Sequence, residues 1–307
     1  VSFSVTILGS GAAIPTSRRN PTAQYVQCSE RHVLIDCGEG TQIQIRKLGI
    51  KFQRINHVLI SHLHGDHYFG LVGLLSTMHL MGREKSIQIF GPPGLKALIM
   101  SQIHAGGGGF AFEINFVELE KDSSGILFED AKIKINYFPL SHRVPTSGFV
   151  ITQKVKERKL RVDKAIEDGV KIEHYHRLKA GEDIEFEGKV FLSEDYTESS
   201  GPELKYAFCS DTEYMPSVIE FVKGVDLLYH EATFLEDLRD RAIATKHSTA
   251  SDAANIAKEA SVGKLLMGHL SARYENGDLH IEEARPIFEN CEVVEDGDVF
   301  VVGIFKK

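Results

Sequence analysis

The sequence predicts a layered α/β domain, and three observations carry that expectation. Short apolar runs of strand length recur along the 307 residues, each ending abruptly in glycine or a polar residue. Stretches with apolar residues three to four positions apart, the spacing of a helix face, alternate with them. Hydrophobic residues make up 42% and charged residues 25%, which fits a soluble globular protein with a sizeable core.

In chain order, residues 5–8 lead into Gly9-Ser10-Gly11, and 33–35 into Asp36-Cys37-Gly38. Residues 58–60 lead into Ser61 and a histidine cluster, and 133–140 into Ser141-His142. Residues 206–209 lead into Ser210-Asp211, and 265–267 into Gly268-His269. Leu71, Leu74, Leu75, Met78 and Met81 predict a helix over 71–81. Thr249, with Asp252 three residues later, opens a second helix over 250–260 in the manner of a capping box, and Gly263 lies just past its end. Polar residues scattered from 62 to 269 have to converge for any shared chemistry, so a single domain spanning 1–307 is expected. Residues 153–183 stand apart: they are charged and poorly periodic, with Lys154, Lys156, Arg158, Lys159, Arg161 and Lys164 crowded into the first third. This segment reads as an insertion, either a solvated charged loop or a basic arm for an anionic ligand.

Composition also excludes. No apolar run approaches the roughly 20 residues that span a bilayer, and residues 1–11 carry no signal-peptide pattern. No membrane association and a cytoplasmic location are the expectations. Cys28, Cys37, Cys209 and Cys291 form no Cys-x-x-Cys pair and read as buried thiols. A net charge of −8 argues against a surface coated in positive charge for nonspecific nucleic-acid binding. It leaves room for a local basic patch.

The sharpest signal is Ser61-His62-Leu63-His64-Gly65-Asp66-His67, directly after a predicted strand. Imidazole nitrogen and carboxylate oxygen suit zinc. One ion cannot easily use four donors from so short a loop. Two neighbouring ions can, with His62 and His64 on one and Asp66 and His67 on the other. His142, Asp211 and His269 each follow an apolar run, where ligand sites of open α/β sheets gather. Asp211, with two oxygens, is the natural bridge.

His-x-His-x-Asp-His resembles the signature of the metallo-β-lactamase superfamily, which implies an αββα sandwich with a dinuclear metal site. Longer stretches resemble the ribonuclease Z family: Leu8-Gly9-Ser10-Gly11-Ala12-Ala13-Ile14-Pro15-Thr16, Ile35-Asp36-Cys37-Gly38-Glu39-Gly40, His230-Glu231-Ala232-Thr233, His247-Ser248-Thr249, and Ser271-Ala272-Arg273-Tyr274. This resemblance implies an endoribonuclease that removes the 3′ trailer from precursor tRNA and leaves a 3′ hydroxyl. It implies two Zn2+ per chain, with His62, His64 and His142 on one, Asp66, His67 and His269 on the other, and Asp211 between them. Mn2+ suits similar ligands. Asp66 is implied as catalytic base as well as ligand, and Glu231 with His247 as the pair that protonates the leaving oxygen.

The 153–183 insertion corresponds in the family to a flexible arm that grips tRNA, so Arg158, Lys159 and Arg161 are expected at the substrate. Arg18, Arg19, Asn20 and Arg273 are expected there too, near the metals, and a homodimer is implied. Alternative readings are a phosphodiesterase or ester hydrolase of the same fold acting on a small molecule, a di-iron redox protein, and a non-catalytic homologue. The redox protein is disfavoured because His64 stands where such relatives carry Glu, and the non-catalytic homologue because all seven ligands are intact.

Overall fold

The computed structural model describes residues 3–155 and 157–303. Lys156, part of the charged run above, lies outside them. The chain divides into two compact units, Val1–Thr152 with Leu204–Lys307, and Gln153–Glu203.

In the larger unit all six runs expected as strands are strands: Phe3–Gly9, Arg31–Ile35, His57–Leu59, Ile133–Leu140, Leu204–Cys209 and Lys264–Gly268. Among the described residues they belong to two seven-stranded sheets. The first runs in the order Val299–Val301, Phe3–Gly9, Ala23–Cys28, Arg31–Ile35, His57–Leu59, Ile87–Gly91 and Ile114–Glu118. The second runs Cys291–Val293, Lys264–Gly268, Leu227–Glu231, Leu204–Cys209, Thr146–Gln153, Ile133–Leu140 and Gly125–Glu129. Arg31–Ile35, His57–Leu59, Ile87–Gly91 and Ile114–Glu118 pair in parallel, as do Leu204–Cys209, Leu227–Glu231, Lys264–Gly268 and Cys291–Val293. Parallel strands bring their carboxyl ends to one edge, and there the polar loops collect.

The apolar residues sort into layers. Val5, Val26, Phe149, Phe208, Tyr229 and Leu266 fill the space between the sheets. Leu74, Leu75 and Ile99, from helices Leu71–Leu80 and Leu95–Ala105, cover the outer face of the first sheet over Val58 and Ile89. Ala253 and Ala257 of helix Ala250–Glu259 cover the second over Leu228 and Leu265. The result is an αββα sandwich. Each fully buried Val, Leu, Ile or Phe contributes about 1.5–3 kcal/mol, so this layering fixes the strand ends on which the polar loops sit.

Two local features hold those loops. Thr249 Oγ1 accepts the Asp252 N–H at 3.2 Å while Asp252 Oδ2 accepts the Thr249 N–H at 3.0 Å, the capping box read from the sequence. It anchors the chain two residues after His247, and Ser248 Oγ donates to the Thr212 carbonyl at 2.7 Å from the same stretch. At Gly9 an added Cβ would sit 1.8 Å from the Pro21 carbonyl oxygen, so only glycine lets the two backbones meet there.

The Gln153–Glu203 unit has a core of its own, with Leu178, Ile184, Phe191 and Tyr196 buried together. It contains helices Val162–Glu167 and Tyr175–Lys179 and a hairpin pairing Ile184–Phe186 with Lys189–Phe191. It runs past residue 183 because Phe191 and Tyr196 complete that core. Its net charge depends on where the segment ends. Residues 153–183 hold nine Lys and Arg against seven Asp and Glu, but 153–203 hold ten against thirteen, a net −3. Many of its cations face carboxylates within the unit: Lys179–Glu157 at 2.6 Å, Arg177–Glu182 at 2.8 Å, Lys171–Glu187 at 3.0 Å and Arg161–Glu198 at 3.6 Å.

Candidate metal centre

The strand ends bring all seven expected ligands together in two groups. In the first, His64 Nδ1 lies 3.0 Å from His62 Nε2 and 3.3 Å from His142 Nε2. Asp211 Oδ2 lies 3.5 Å from His62 Nε2 and 3.7 Å from His142 Nε2. In the second, His67 Nε2 lies 3.4 Å from Asp66 Oδ2 and 3.4 Å from Asp211 Oδ1. His269 Nε2 lies 3.6 Å from Asp66 Oδ2 and 3.2 Å from Asp211 Oδ1. Asp211 therefore turns one oxygen to each group.

These residues fit a pair of divalent cations. Tetrahedral ligands held about 2.0–2.1 Å from zinc lie roughly 3.3 Å from one another, which is the spacing within both groups. The facing atoms His67 Nε2, His269 Nε2 and Asp211 Oδ1 are buried without a hydrogen-bond partner among the described residues. Buried polar atoms left this way cost free energy unless something binds them. The field has the matching sign. Burial opposes charge on His67, yet Asp211, Asp36 and Asp66 raise its pKa well above the ordinary range.

The outward ring nitrogens are held by the fold. Asp36 Oδ2 lies 2.7 Å from His67 Nδ1, and Asp36 also accepts the Ser61 N–H at 2.7 Å and Ser61 Oγ at 2.9 Å. Ser61 Oγ is 3.0 Å from His62 Nδ1, and the Lys246 carbonyl is 2.8 Å from His142 Nδ1. Thr233 Oγ1 is 2.9 Å from His269 Nδ1. Such partners fix the tautomer, leaving each Nε2 lone pair aimed inward. The Ala13 N–H donates to Asp66 Oδ2 at 2.9 Å. Ala13, Asp36 and His269 all adopt positive φ, at 55°, 55° and 57°, a left-handed conformation costing a non-glycine residue about 1–3 kcal/mol. The packed sheet edges hold it where the ligands must turn inward.

Glu231 and His247 sit beside the second group. Glu231 is fully buried, and its Oε1 lies 2.8 Å from His247 Nδ1 and accepts the Thr212 N–H at 2.8 Å. Its Oε2 accepts Thr233 Oγ1 at 2.6 Å. Burial pushes the Glu231 carboxyl up, but His247 and these hydrogen bonds outweigh it and hold the pKa below the usual carboxylate range. Burial likewise opposes charge on His247, and Glu231 overcomes it, raising the imidazole to about 9.

A cavity of about 480 Å³ opens over the cluster, lined by His64, Asp66, Asp211, His247 and His269 together with Arg143, Arg241 and Arg273. Arg273, expected near the metals, lines this cavity. Arg19 does not: it is 4% exposed, and its guanidinium donates to Ser10 Oγ and the Val294 carbonyl, both at 2.7 Å, and pairs with Glu295. Asn20 is likewise engaged, its backbone N–H and Nδ2 both donating to Asp296 Oδ2 at 2.8 Å. Both residues brace the 9–20 loop, which corrects their assignment to substrate. Arg18 is exposed but lines a separate 210 Å³ cavity, with Nη1 on the Glu275 carbonyl at 3.2 Å. Arg158, Lys159 and Arg161 belong to the Gln153–Glu203 unit, where Arg158 Nε donates to Thr197 Oγ1 at 2.6 Å.

A profile of the family described as "Anti-Pycsar protein Apyc1" matches residues 3–160. That stretch carries the 62–67 loop and His142 and ends before Asp211, Glu231, His247 and His269. Ribonuclease Z of Bacteroides fragilis is 42% identical over 289 residues, covering 94% of this chain and 95% of that relative. The chain belongs to the ribonuclease Z family. As a member it is a metal-dependent endoribonuclease, a hydrolase. Human tRNase Z, short form, has a similar structure, with a TM-score of 0.72 and 28% identity over 98% of this chain and 100% of that one. A metallo-β-lactamase fold protein of Bacillus subtilis shares the fold, with a TM-score of 0.69 at 19% identity over 97% of this chain and 98% of that one.

Four residues of this ribonuclease Z site escaped the sequence reading. Asp36 ends an apolar run and Thr233 closes His-Glu-Ala-Thr, so both carried a usable signal. Arg143 and Arg241 carried none, because nothing local sets an isolated arginine apart.

Proposed function

We propose that this chain removes the 3′ trailer from precursor tRNA by hydrolysis at a pair of zinc ions, one held by His62, His64 and His142 and the other by Asp66, His67 and His269, with Asp211 between them. The observation that carries this reading is the division of the Asp211 oxygens between two histidine groups beside the Glu231–His247 pair, whose carboxylate is buried. Bound there, such ions neutralise the scissile phosphate and bring a water's pKa toward neutrality.

The protein supplies the proton handling. Asp66, beside both His67 and His269, takes the proton of the attacking water as phosphorus is approached in line. The bond from phosphorus to the 3′ oxygen of the last tRNA nucleotide breaks, and that oxygen needs a proton. His247 delivers it from Nε2, while Nδ1 stays bonded to Glu231 and keeps the ring oriented and charged. The products are tRNA with a 3′ hydroxyl and a trailer with a 5′ phosphate.

A homodimer belongs to the same proposal. Ile43, Phe69, Leu80 and Met81 are exposed at 56%, 65%, 83% and 55%, apolar area that a second copy would cover. Light scattering of the purified protein tests it, and a monomer at micromolar concentration refutes it. Among the described residues no helix is long and apolar enough to cross a membrane. A second substrate reading rests on cavity size: 480 Å³ lies within the ~300–1,000 Å³ that takes small ligands, so small phosphodiesters also fit. Incubation with a 3′-extended precursor tRNA and mapping of the cut decides. Cleavage at the trailer junction is expected; turnover of small diesters without any precursor cleavage refutes the tRNA reading.

A further inference from the structure

Three loops of the metal centre meet at a carboxylate to which the proton handling above gives no part. Glu213 lies two residues after Asp211. Its Oε1 accepts hydrogen bonds from Ser141 Oγ and, at 3.2 Å, from Lys246 Nζ. Ser141 immediately precedes the ligand His142, and Lys246 immediately precedes His247. The Glu213 N–H also donates to the Ser141 carbonyl at 2.9 Å, and the Ser141 N–H to Thr212 Oγ1 at 3.2 Å. Backbone and side chain together thus join the 141–142 loop to the 211–213 loop, and the lysine ties the 246–247 turn to both.

Two features set the Lys246–Glu213 contact apart from an ordinary surface ion pair. Lys246 ends helix Arg239–Thr245 with a φ of 55°. Glycine takes this left-handed conformation at little cost, but it carries no ammonium. Lysine keeps the turn and adds the pair. The second feature is what the turn delivers. The carbonyl of the 246–247 peptide accepts the His142 Nδ1–H at 2.8 Å, and the next side chain is His247. Glu231 sets the rotation of the His247 ring through Nδ1, whereas the main chain sets its distance from the metal ligands.

Resting on the ribonuclease reading with His247 as proton donor, we propose that Glu213 is a positioning residue for that proton transfer. Through Lys246 it clamps the main chain before His247 against the loops that carry His142 and Asp211. The side chains of Lys246 and Glu213 are 40% and 36% exposed, so the pair contributes little to overall stability, and its effect lies in placement. A misplacement of about 1 Å costs a reacting group about 100-fold in rate.

The test compares two precursor tRNAs, one natural and one with sulfur in place of the bridging 3′ oxygen at the cleavage site. The natural linkage expels an alkoxide, which needs the proton from His247. The sulfur linkage expels a thiolate, which takes the electron pair of the broken bond and leaves without a proton. Glu213→Ala and Lys246→Met are each expected to lower kcat on the natural precursor by about 10–100-fold, with KM nearly unchanged. On the sulfur precursor both are expected to stay within about threefold of wild type, as is His247→Ala. Lys246→Arg keeps the cation and is expected to recover most of the natural rate. The Glu213→Ala, Lys246→Met double variant is expected to be no slower than either single, because both changes cut one clamp. Metal content is expected to be unchanged, and the melting temperature to shift by no more than about 3 °C.

A wild-type kcat on the natural precursor in Glu213→Ala overturns the proposal. Equal slowing on both precursors, with or without loss of metal, overturns it too, since the residue would then act on the ions or on the fold. Wild-type rates in His247→Ala refute the donor assignment instead, and a wild-type protein that cleaves no precursor refutes the ribonuclease reading.

Discussion

Thr233 Oγ1 lies 2.9 Å from His269 Nδ1 and 2.6 Å from Glu231 Oε2, so one hydroxyl joins a ligand histidine to the buried carboxylate behind His247. Its proton goes to Glu231, and its lone pair accepts the His269 Nδ1–H. That order fixes the His269 tautomer with Nε2 facing Asp211. Thr233→Val keeps the shape and removes the hydroxyl. Metal affinity is expected to fall about 10–100-fold, the usual effect of losing a partner behind a ligand, and Thr233→Ser is expected to restore it. Chelator competition on the folded protein measures this; an unchanged affinity in Thr233→Val removes the role.

The Glu231–His247 pair yields a second expectation. His247→Ala is expected to keep its bound metal and to slow precursor cleavage by about 10²–10⁴-fold, the range for lost acid catalysis. Metal analysis and single-turnover kinetics together check it. Loss of metal from the variant would instead make His247 a ligand, which its place in one group with Asp211 and His269 permits.

Removing the metals has consequences for stability as well as rate. Asp36, Asp66 and Asp211 converge on His67, and Asp211 and His67 are almost wholly buried. Without cations that charge is left to protonated imidazole and to the hydrogen bonds from Ser61 and Ala13. Exhaustive chelation is expected to abolish cleavage and lower the melting temperature, and Zn2+ or Mn2+ to restore both. A chelated protein that melts at the original temperature would show that the cluster is structurally indifferent to its ions.

His57 provides a pH test away from the metal centre. It is 5% exposed, its ring 4.3 Å from Phe128, and burial pushes its pKa down to about 4. The folded state thus binds its proton less readily than the unfolded chain, where the value is about 6.5. Its contribution is complete above about pH 6.5 and is lost progressively as pH falls toward 4, by up to about 3 kcal/mol. Denaturant melts of wild type and His57→Gln across that window measure the difference. Parallel curves would mean that His57 is not the titrating group.

The sequence by itself determined the strand ends and most of the centre. Six apolar runs stopping at polar residues placed His142, Asp211 and His269, and the 62–67 loop carried four ligands within one turn of chain. These are local signals, since a strand must bury its apolar face and three imidazoles with a carboxylate within six residues form a dense set of metal donors. The capping box at Thr249 was legible for the same reason.

Tertiary structure decided what depends on distant partners. Arg19 and Arg241 look alike in sequence, yet Arg19 is drawn into the fold by Val294 and Glu295, some 275 residues away, and Arg241 is left at the cavity over Phe234. The insertion read as basic because its cations cluster early. Folding adds Phe191, Tyr196 and the later carboxylates to the same compact unit, whose 153–203 span is net −3 while 153–183 stays net +2. A guanidinium's destination is set by which acceptors the packed layers bring within about 3 Å of it. No spacing along the chain records that.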